Sequence, residues 1–445
     1  ALAGAAVDVA AAALSAWGRP VRAVGITNQR ASTVCWERDS GEPVGPGIGW
    51  QDLRTVGMCL ALQSQGLALA PNASATKLAF LLDLADPERR RAQAGELCFG
   101  TIDTWLAWRL SGGAAHVTDP GNAGVTGLMA PDGSGWDDDI TAALRIPAAV
   151  LPAIVDSSGV VAAASALPGS PPIAGLAGDQ QASLLGQGAV TAGEAKLTLG
   201  TGAMLDVCVG PHRPAHRTRG RAGTIPVVAW RRGGLTTWGV EAIAITAGTA
   251  VEWVRDLGLV DDAGQTEALA SSVPDAGGVV FVPAFLGMGT PRWDYGARGG
   301  FFGVTLATGR AEMVRAVLEG VAHRGADLLA AAEADSGCHV ERLRVDGGMS
   351  ANGVVLAALA DFTGRPVDAC AVTEATTLGA AFLAGMGVGT WPDEAATAAL
   401  ARPRLTVEPS MPEPARCAAR ERFAAAADAC CGWVPELSAI DFSAP

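Results

Sequence analysis

The stretch Ile173 to Gln187, IAGLAGDQQASLLGQ, constrains the fold of this 445-residue chain more than any other. Ile173 to Gly178 is a short run of small and branched apolar residues, the pattern of a strand buried on both faces of a parallel sheet. From Gln180 the apolar residues take up a helical spacing, so Asp179 falls where a strand ends and a helix begins. In open α/β sheets that point faces the ligand crevice, which suits a carboxylate that takes a proton from a bound hydroxyl. The alternative is that Asp179 only caps the helix start.

The length suggests two or three domains, each with enough apolar residues for a core. A net charge of −13 argues against nucleic acid or an anionic membrane as partner. Nine cysteines without a CxxC pair suit a reduced, cytosolic chain with no structural zinc site. No apolar run reaches the roughly 20 residues that span a bilayer. The opening ALAGAAVDVAAAALSAWG has no basic start and carries Asp8, so it reads as an Ala-rich helix and not as a signal peptide.

After that helix, Val21 to Ile26 reads as a strand running into the polar cluster Thr27, Asn28, Gln29 and Arg30, which then points towards a ligand cleft. Ser32 to Glu37 and Gly47 to Trp50 read as two further strands about the turn Asp39-Ser40-Gly41. Arg30, Gln51 and Asp52 either line one wall of the cleft or form a surface cluster worth little. Ala75 to Ala85 and Ile102 to Leu110 are helices. On the second, Trp105 and Trp108 share a face and suit a core. His116 to Asn122 is a loop within reach of the same cleft.

The pattern restarts after Gln187. Lys196 to Leu199 and Ala203 to Val209 are strands of a hairpin, joined by Gly200-Thr201-Gly202, a turn whose N–H groups suit a phosphate. Thr237 to Val240 leads into Glu241 and a helix through Arg255. Arg310 to about Ala332 is a long amphipathic helix with Met313, Val314, Val317, Leu318 and Val321 on its core face. Leu343 to Val345, the turn Asp346-Gly347-Gly348 and a helix opened by Ser350 and Asn352 form a strand, glycine pair and helix start that accept a nucleotide. Thr377 to Gly387 is a small-residue helix, Arg402 to Pro414 a Pro-rich loop and Arg416 to Ala427 a terminal helix.

The segments GITNQR (Gly25 to Arg30), WQDLRT (Trp50 to Thr55), FGTIDTWLAWRLSGG (Phe99 to Gly113), HVTD (His116 to Asp119), GLAGDQQASLLGQG, LGTG, FVPAFLGMGTPRWDYGARGGFFGVT, RAVLEG (Arg315 to Gly320), VDGGMSAN (Val345 to Asn352) and TTLGAAFLAG (Thr376 to Gly385) resemble the FGGY family of carbohydrate kinases, in the family's order. The likeness is greatest to its glycerol-phosphorylating members. It implies an α/β fold of two actin-like (ribonuclease-H-like) ATPase domains, residues 1–188 on the substrate side and 189–445 on the nucleotide side, with a cleft between them. It further implies a cytoplasmic enzyme that uses ATP and Mg2+ to phosphorylate a polyol or sugar; a homo-oligomer is left open. By the same resemblance Asp179 is the base, Arg30, Gln180 and Trp50 bind the acceptor, and Gly200, Thr201, Gly202, Gly347, Gly348 and Asn352 bind the nucleotide.

Three departures qualify the likeness. Where glycerol-phosphorylating members carry a Glu after NQR and a Tyr after HVTD, this sequence has Ala31 and Pro120. Removing hydroxyl-binding groups weakens or redirects recognition, so a ketose or a sugar acid is the rival acceptor. Members of the family also open with a strand and a Gly/Thr-rich turn whose Asp helps to hold Mg2+, whereas this chain begins beyond that point. The expectation is that Ala1 is not the natural start, that a strand beside Val21 to Ile26 is left with an open edge, and that the chain alone is nearly inactive and prone to aggregate. The metal ligand is therefore unassigned, with Glu241 as the substitute should the chain be active as it stands. A nucleotide-binding homologue without catalysis is the rival from another class.

Overall fold

The computed structural model describes residues 2–443. Ala1, on which the expectation about the chain's start falls, lies outside the described residues. Pro172–Gly178 forms the buried strand read from the sequence, and Asp179 is the first residue of the helix Asp179–Gly186. This strand is the middle of a three-stranded sheet, with Val24–Asn28 parallel on one side and Ser158–Ala163 antiparallel on the other. Val24–Asn28 begins later than the expected Val21 because it enters the sheet where it meets its first partner, Ile173.

The second half builds a seven-stranded sheet in the spatial order Ile225–Arg232, Leu235–Ala244, Ala203–Gly210, Ala195–Leu199, Leu343–Asp346, Val367–Cys370 and Pro403–Val407. The first four are antiparallel to one another, while Leu343–Asp346 runs parallel to the strands on both its sides. The helix Arg310–Ser336 covers this sheet, burying Val314, Val317, Leu318 and Val321 against Leu197, Leu205 and Val240. Glu312 reaches back to the N–H of Gly309 at its start, and Gly337 ends it in the left-handed conformation at φ 69°. No described helix is long and apolar enough to cross a membrane.

Four local expectations change in three dimensions. Val34–Glu37 pairs with Leu97–Gly100, and Gly47 to Trp50 contributes no named strand. The turn at Asp39 still folds the chain back, with Thr33 and Ile48 exchanging backbone hydrogen bonds at 2.8 and 2.9 Å, so Val34–Glu37 lies between that return and Leu97–Gly100. Glu241 lies inside the strand Leu235–Ala244, and the helix waits until Gly248–Asp256. The Pro-rich loop contains the edge strand Pro403–Val407, whose proline is tolerated there because it need not donate to the ladder. His116 to Asn122 is not a plain loop: it holds the strand Val117–Thr118 and the start of the helix Pro120–Val125. Trp105 and Trp108 are core, packed edge-on against the fully buried Trp36.

The helix Ala375–Gly387 belongs to the second half of the sequence but packs on the first sheet. Its approach depends on missing side chains. A Cβ on Gly25 or Gly379 would collide with the carbonyl oxygen of Ala380 or Ala182, and one on Gly175 would lie 2.6 Å from the nitrogen of Ala384. This helix thereby fixes the helix that begins at Asp179. Gly379→Ala should lower stability by about 1–3 kcal/mol through overpacking, and should lower turnover more than a matched loss of stability elsewhere, because the helix of Asp179 must shift. Thermal melting with kinetics at a temperature where both forms are folded checks this; an unchanged melting temperature contradicts it.

Candidate active site

The placement of Arg30 starts from its own backbone. Ser32 N donates to Arg30 O at 2.8 Å while Ala31 sits at φ 60°, a γ-turn of the rarer, strained hand. The Ala31 carbonyl accepts from Ser74 Oγ at 3.0 Å and Thr33 Oγ1 at 3.3 Å, which holds the turn. The side chain of Arg30 then crosses the strand end at Gly178, where a Cβ would lie 2.5 Å from Arg30 Cδ.

That turn delivers the guanidinium to carboxylates from both halves. Arg30 Nε is 3.3 Å from Asp179 Oδ1, and Arg30 Nη2 is 2.7 Å from Glu241 Oε2. Burial works against the charge of Arg30, but Glu241, Asp179 and Asp206 together hold its guanidinium above the usual range. Burial raises the carboxyl of Glu241 above the ordinary carboxylate range, with Arg30 pulling the other way. Asp179 is the more open of the two acids, its side chain about one-third exposed. Its Oδ1 also accepts the N–H of Gln180 at 2.9 Å, while no hydrogen bond from the described residues reaches Oδ2. The helix start is thus only partly capped by Asp179, and one carboxylate oxygen stays open.

Beneath this pair lies a charged row that the sequence reading did not assemble. Lys196, Asp206 and Glu241 stand on three adjacent strands, with Lys196 paired to Asp206 and Asp206 to Glu241 in register. Lys196 Nζ is 2.8 Å from Asp206 Oδ2, donates to Thr198 Oγ1 at 3.0 Å and also bonds Gln180 Oε1. Gln181, fully buried, turns Oε1 towards Arg30 Nη1 at 3.5 Å. The signal for these residues was a charge inside an otherwise apolar strand, as in AKLTL, AMLDV and GVEAIA.

The glycine turns meet because their strands are parallel neighbours. Asp346 is opposite Thr198, so Gly200-Thr201-Gly202 and Gly347-Gly348 emerge side by side. Their glycines serve different ends. A Cβ on Gly347, at φ 86°, would lie 2.5 Å from Leu199 O, and one on Gly202 would lie 2.7 Å from Ala244 O, so both are needed by backbone packing. A Cβ on Gly348 would meet nothing within 4 Å, and one on Gly200 only Gly202 O at 3.9 Å. Those two positions border open space, a cradle that fits a phosphorylated ligand. Asn352 caps the helix Gly353–Thr363 through Oδ1 and donates Nδ2 to Thr266 Oγ1 at 3.3 Å. Ser183 Oγ donates to Asp346 Oδ2 at 2.7 Å, tying the helix of Asp179 to the glycine turn.

The remaining expected wall divides. Trp50 is half-buried beside the Arg30 turn, its N–H on Ser32 Oγ at 3.3 Å and its carbonyl on Lys77 Nζ at 3.0 Å. Gln51 is exposed, and Asp52 pairs locally with Arg54 at 2.7 Å, which is the surface-cluster alternative. Asp119 accepts from Gly121 N, Asn122 N and Ser157 Oγ, so it works inside the fold. Asn122 in turn exchanges amide bonds with Asn28 at 3.0 and 3.2 Å. His116, pulled down to about 4 by burial, holds Phe99 O through Nε2 and is neutral at physiological pH. A cavity of about 340 Å³ beside Gly25, Thr27, Ala380 and Trp391 is lined by no carboxylate. Among the described residues no group of three or more His, Cys, Asp or Glu side chains gathers to hold a metal.

Two sheets joined by a charged cleft, with glycine turns on one side and a carboxylate on the other, define the actin-like ATPase fold of a phosphotransferase. The chain belongs to the FGGY family of carbohydrate kinases: the family's N-terminal domain matches residues 4–186 and its C-terminal domain residues 195–388. A glycerol kinase of Dechloromonas aromatica (strain RCB) is 47% identical over 415 residues, covering 90% of this chain and 82% of that protein. The crystal structure of Plasmodium falciparum glycerol kinase with ADP matches with a TM-score of 0.87 at 26% identity, over 98% of this chain and 88% of that one. A xylulose kinase from Lactobacillus acidophilus shares the fold, with a TM-score of 0.81 at 20% identity over 98% and 89% of the two chains.

Lys77 gives this site a pH test. Its ammonium is buried on two carbonyls, Trp50 O and Asn72 O, both at 3.0 Å, and burial pulls it down to about 8 with Asp52 opposing. The ordinary value is 10.5, so the unfolded chain holds this proton more tightly and protonation opposes folding. The cost is fully present below 8 and is relieved as pH rises towards 10.5. Wild type should therefore gain stability relative to Lys77→Met between about pH 7 and about pH 10. Urea unfolding of both proteins across that range measures it, and a flat or opposite difference contradicts it.

Proposed function

We propose that this protein transfers the γ-phosphoryl group of ATP to a hydroxyl of glycerol, giving glycerol 3-phosphate and ADP. The observation that carries this reading is Asp179, held at the strand-to-helix junction beside Arg30 with its side chain about one-third exposed and no hydrogen bond from the described residues on Oδ2. The names of the relatives at high identity and coverage support glycerol as acceptor. Residues 1–188 are proposed as the acceptor domain and 189–445 as the nucleotide domain, in a cytoplasmic enzyme.

In the proposed reaction the acceptor oxygen bonds to the γ-phosphorus as the bond to the leaving ADP oxygen breaks, and the hydroxyl proton passes to Asp179. Phosphoryl transfer asks chiefly for position and charge neutralisation. Arg30 and Gln180 orient the acceptor hydroxyls, with Trp50 on the adjoining turn. Gly200, Thr201, Gly202, Gly347, Gly348 and Asn352 receive the nucleotide. Mg2+ usually keeps several waters and binds through phosphates and one or two carboxylates; it would neutralise phosphate charge, and no carboxylate of this chain is assigned to it.

A second reading is favoured by Ala31 and Pro120, both buried and without a polar side-chain group where glycerol-phosphorylating members carry one. It assigns a ketose or sugar acid as acceptor. Phosphorylation assays with glycerol, erythritol, xylulose, ribulose and gluconate separate the two; a best rate on any sugar removes glycerol as the acceptor.

Asp179→Asn should lower turnover by roughly 10² to 10⁴ with nucleotide binding nearly intact. Near-normal turnover would remove the base assignment. Gly348→Val places its new side chain in open space, so the fold tolerates it, and the nucleotide dissociation constant should rise more than that of the acceptor. Calorimetric titration with ADP and with glycerol compares them, and equal weakening of both would count against a nucleotide contact.

A further inference from the structure

Two of the three acceptor ligands proposed for the first half, Arg30 and Gln180, are held by side chains of the second. Glu241 takes Arg30 Nη2 at 2.7 Å, and Lys196 Nζ bonds Gln180 Oε1. Asp206 stands between them in register and fixes Lys196 at 2.8 Å. Lys196, Asp206 and Glu241 are 0%, 1% and 3% exposed. A buried ion network adds little to stability over apolar residues of similar size, yet breaking one partner is costly. The neighbours along these strands, Leu197, Leu205, Val240 and Ala242, are apolar core, so a core demand does not explain the charges.

The orientation of Arg30 supplies the reason. Nε faces Asp179 and Nη2 is held by Glu241, while Nη1 has only the 3.5 Å contact to Gln181 Oε1. The guanidinium is thereby turned so that one nitrogen remains for a ligand hydroxyl. We infer that the row Lys196, Asp206 and Glu241 positions the acceptor site: Glu241 sets Arg30, Lys196 sets Gln180, and Asp206 holds Lys196. The inference rests on the acceptor roles of Arg30 and Gln180 under the proposed function. With Ala31 and Pro120 offering no polar group, the alignment of Arg30 and Gln180 by this row becomes the main determinant of which hydroxyl pattern is accepted.

The test measures acceptor KM, kcat and ADP affinity for Glu241→Gln, Lys196→Met, Arg30→Ala and the double variant Arg30→Ala/Glu241→Gln. Removing the ionic partner of Arg30 in Glu241→Gln, or the bond to Gln180 in Lys196→Met, should raise acceptor KM roughly 10- to 100-fold. The ADP dissociation constant should stay within about twofold, since neither residue touches the glycine turns. In the Arg30→Ala background Glu241→Gln should add little, because its partner is already gone. Should Glu241→Gln not fold, Glu241→Asp keeps the charge, retracts the carboxylate and should raise acceptor KM in the same direction. Unchanged acceptor KM, equal loss of ADP affinity, or an additive effect in the double variant overturns the positioning role while wild type remains a kinase. If wild type phosphorylates none of the acceptors tried, the phosphorylation reading itself falls, and this inference with it.

Discussion

The ion pair between Arg30 and Glu241 is the contact on which the site depends. It joins a turn of the first half to a strand of the second, at 2.7 Å and with both side chains largely removed from water. Such a pair survives burial only when further polar groups share the load. Here Asp179 lies along a second edge of the guanidinium, and Lys196 and Asp206 lie behind the carboxylate. The two halves therefore meet through charge at the place where chemistry is proposed. Elsewhere they meet through apolar packing of Leu184, Leu185, Cys208, Trp230 and Phe382.

A second constraint is geometric. The helix Ala375–Gly387 lies so close to the first sheet and to the helix of Asp179 that glycine is required on both sides of the contact. Small residues in the central strand were first read as a sign of burial, which is correct but incomplete. Their further role is to let two backbones approach, which seats the helix that begins at Asp179 against the helix Ala375–Gly387. Thr376 Oγ1, donating to Asp179 O at 3.3 Å, completes that seat.

Strain at Ala31 belongs to the same economy of position. A residue with a Cβ at φ 60° is held there by two hydroxyl bonds to its carbonyl, and the result is an Arg30 side chain aimed across Gly178. The Arg30 turn thus takes its shape from backbone geometry and its charge partner Glu241 from the opposite half.

Much of this was legible in the chain. The alternation of buried strand and helix at Asp179, the long helix opened by Arg310 and the N-cap at Asn352 all follow from periodicity and capping, which depend only on neighbours in sequence. The order of motifs was enough to name the family. What sequence could not supply was pairing. Val34–Glu37 takes Leu97–Gly100 as a ladder partner in addition to the local return at Thr33 and Ile48, and Glu241 lies in a strand, because distant segments close on them and bury their side chains. The row of Lys196, Asp206 and Glu241 exists only because three strands align in register, and its grip on Arg30 only because the two halves close on each other. By itself the sequence determined the family and most of the helices and strands; the tertiary structure alone decided which charge faces which, since an electrostatic partner is chosen by distance in space and not along the chain.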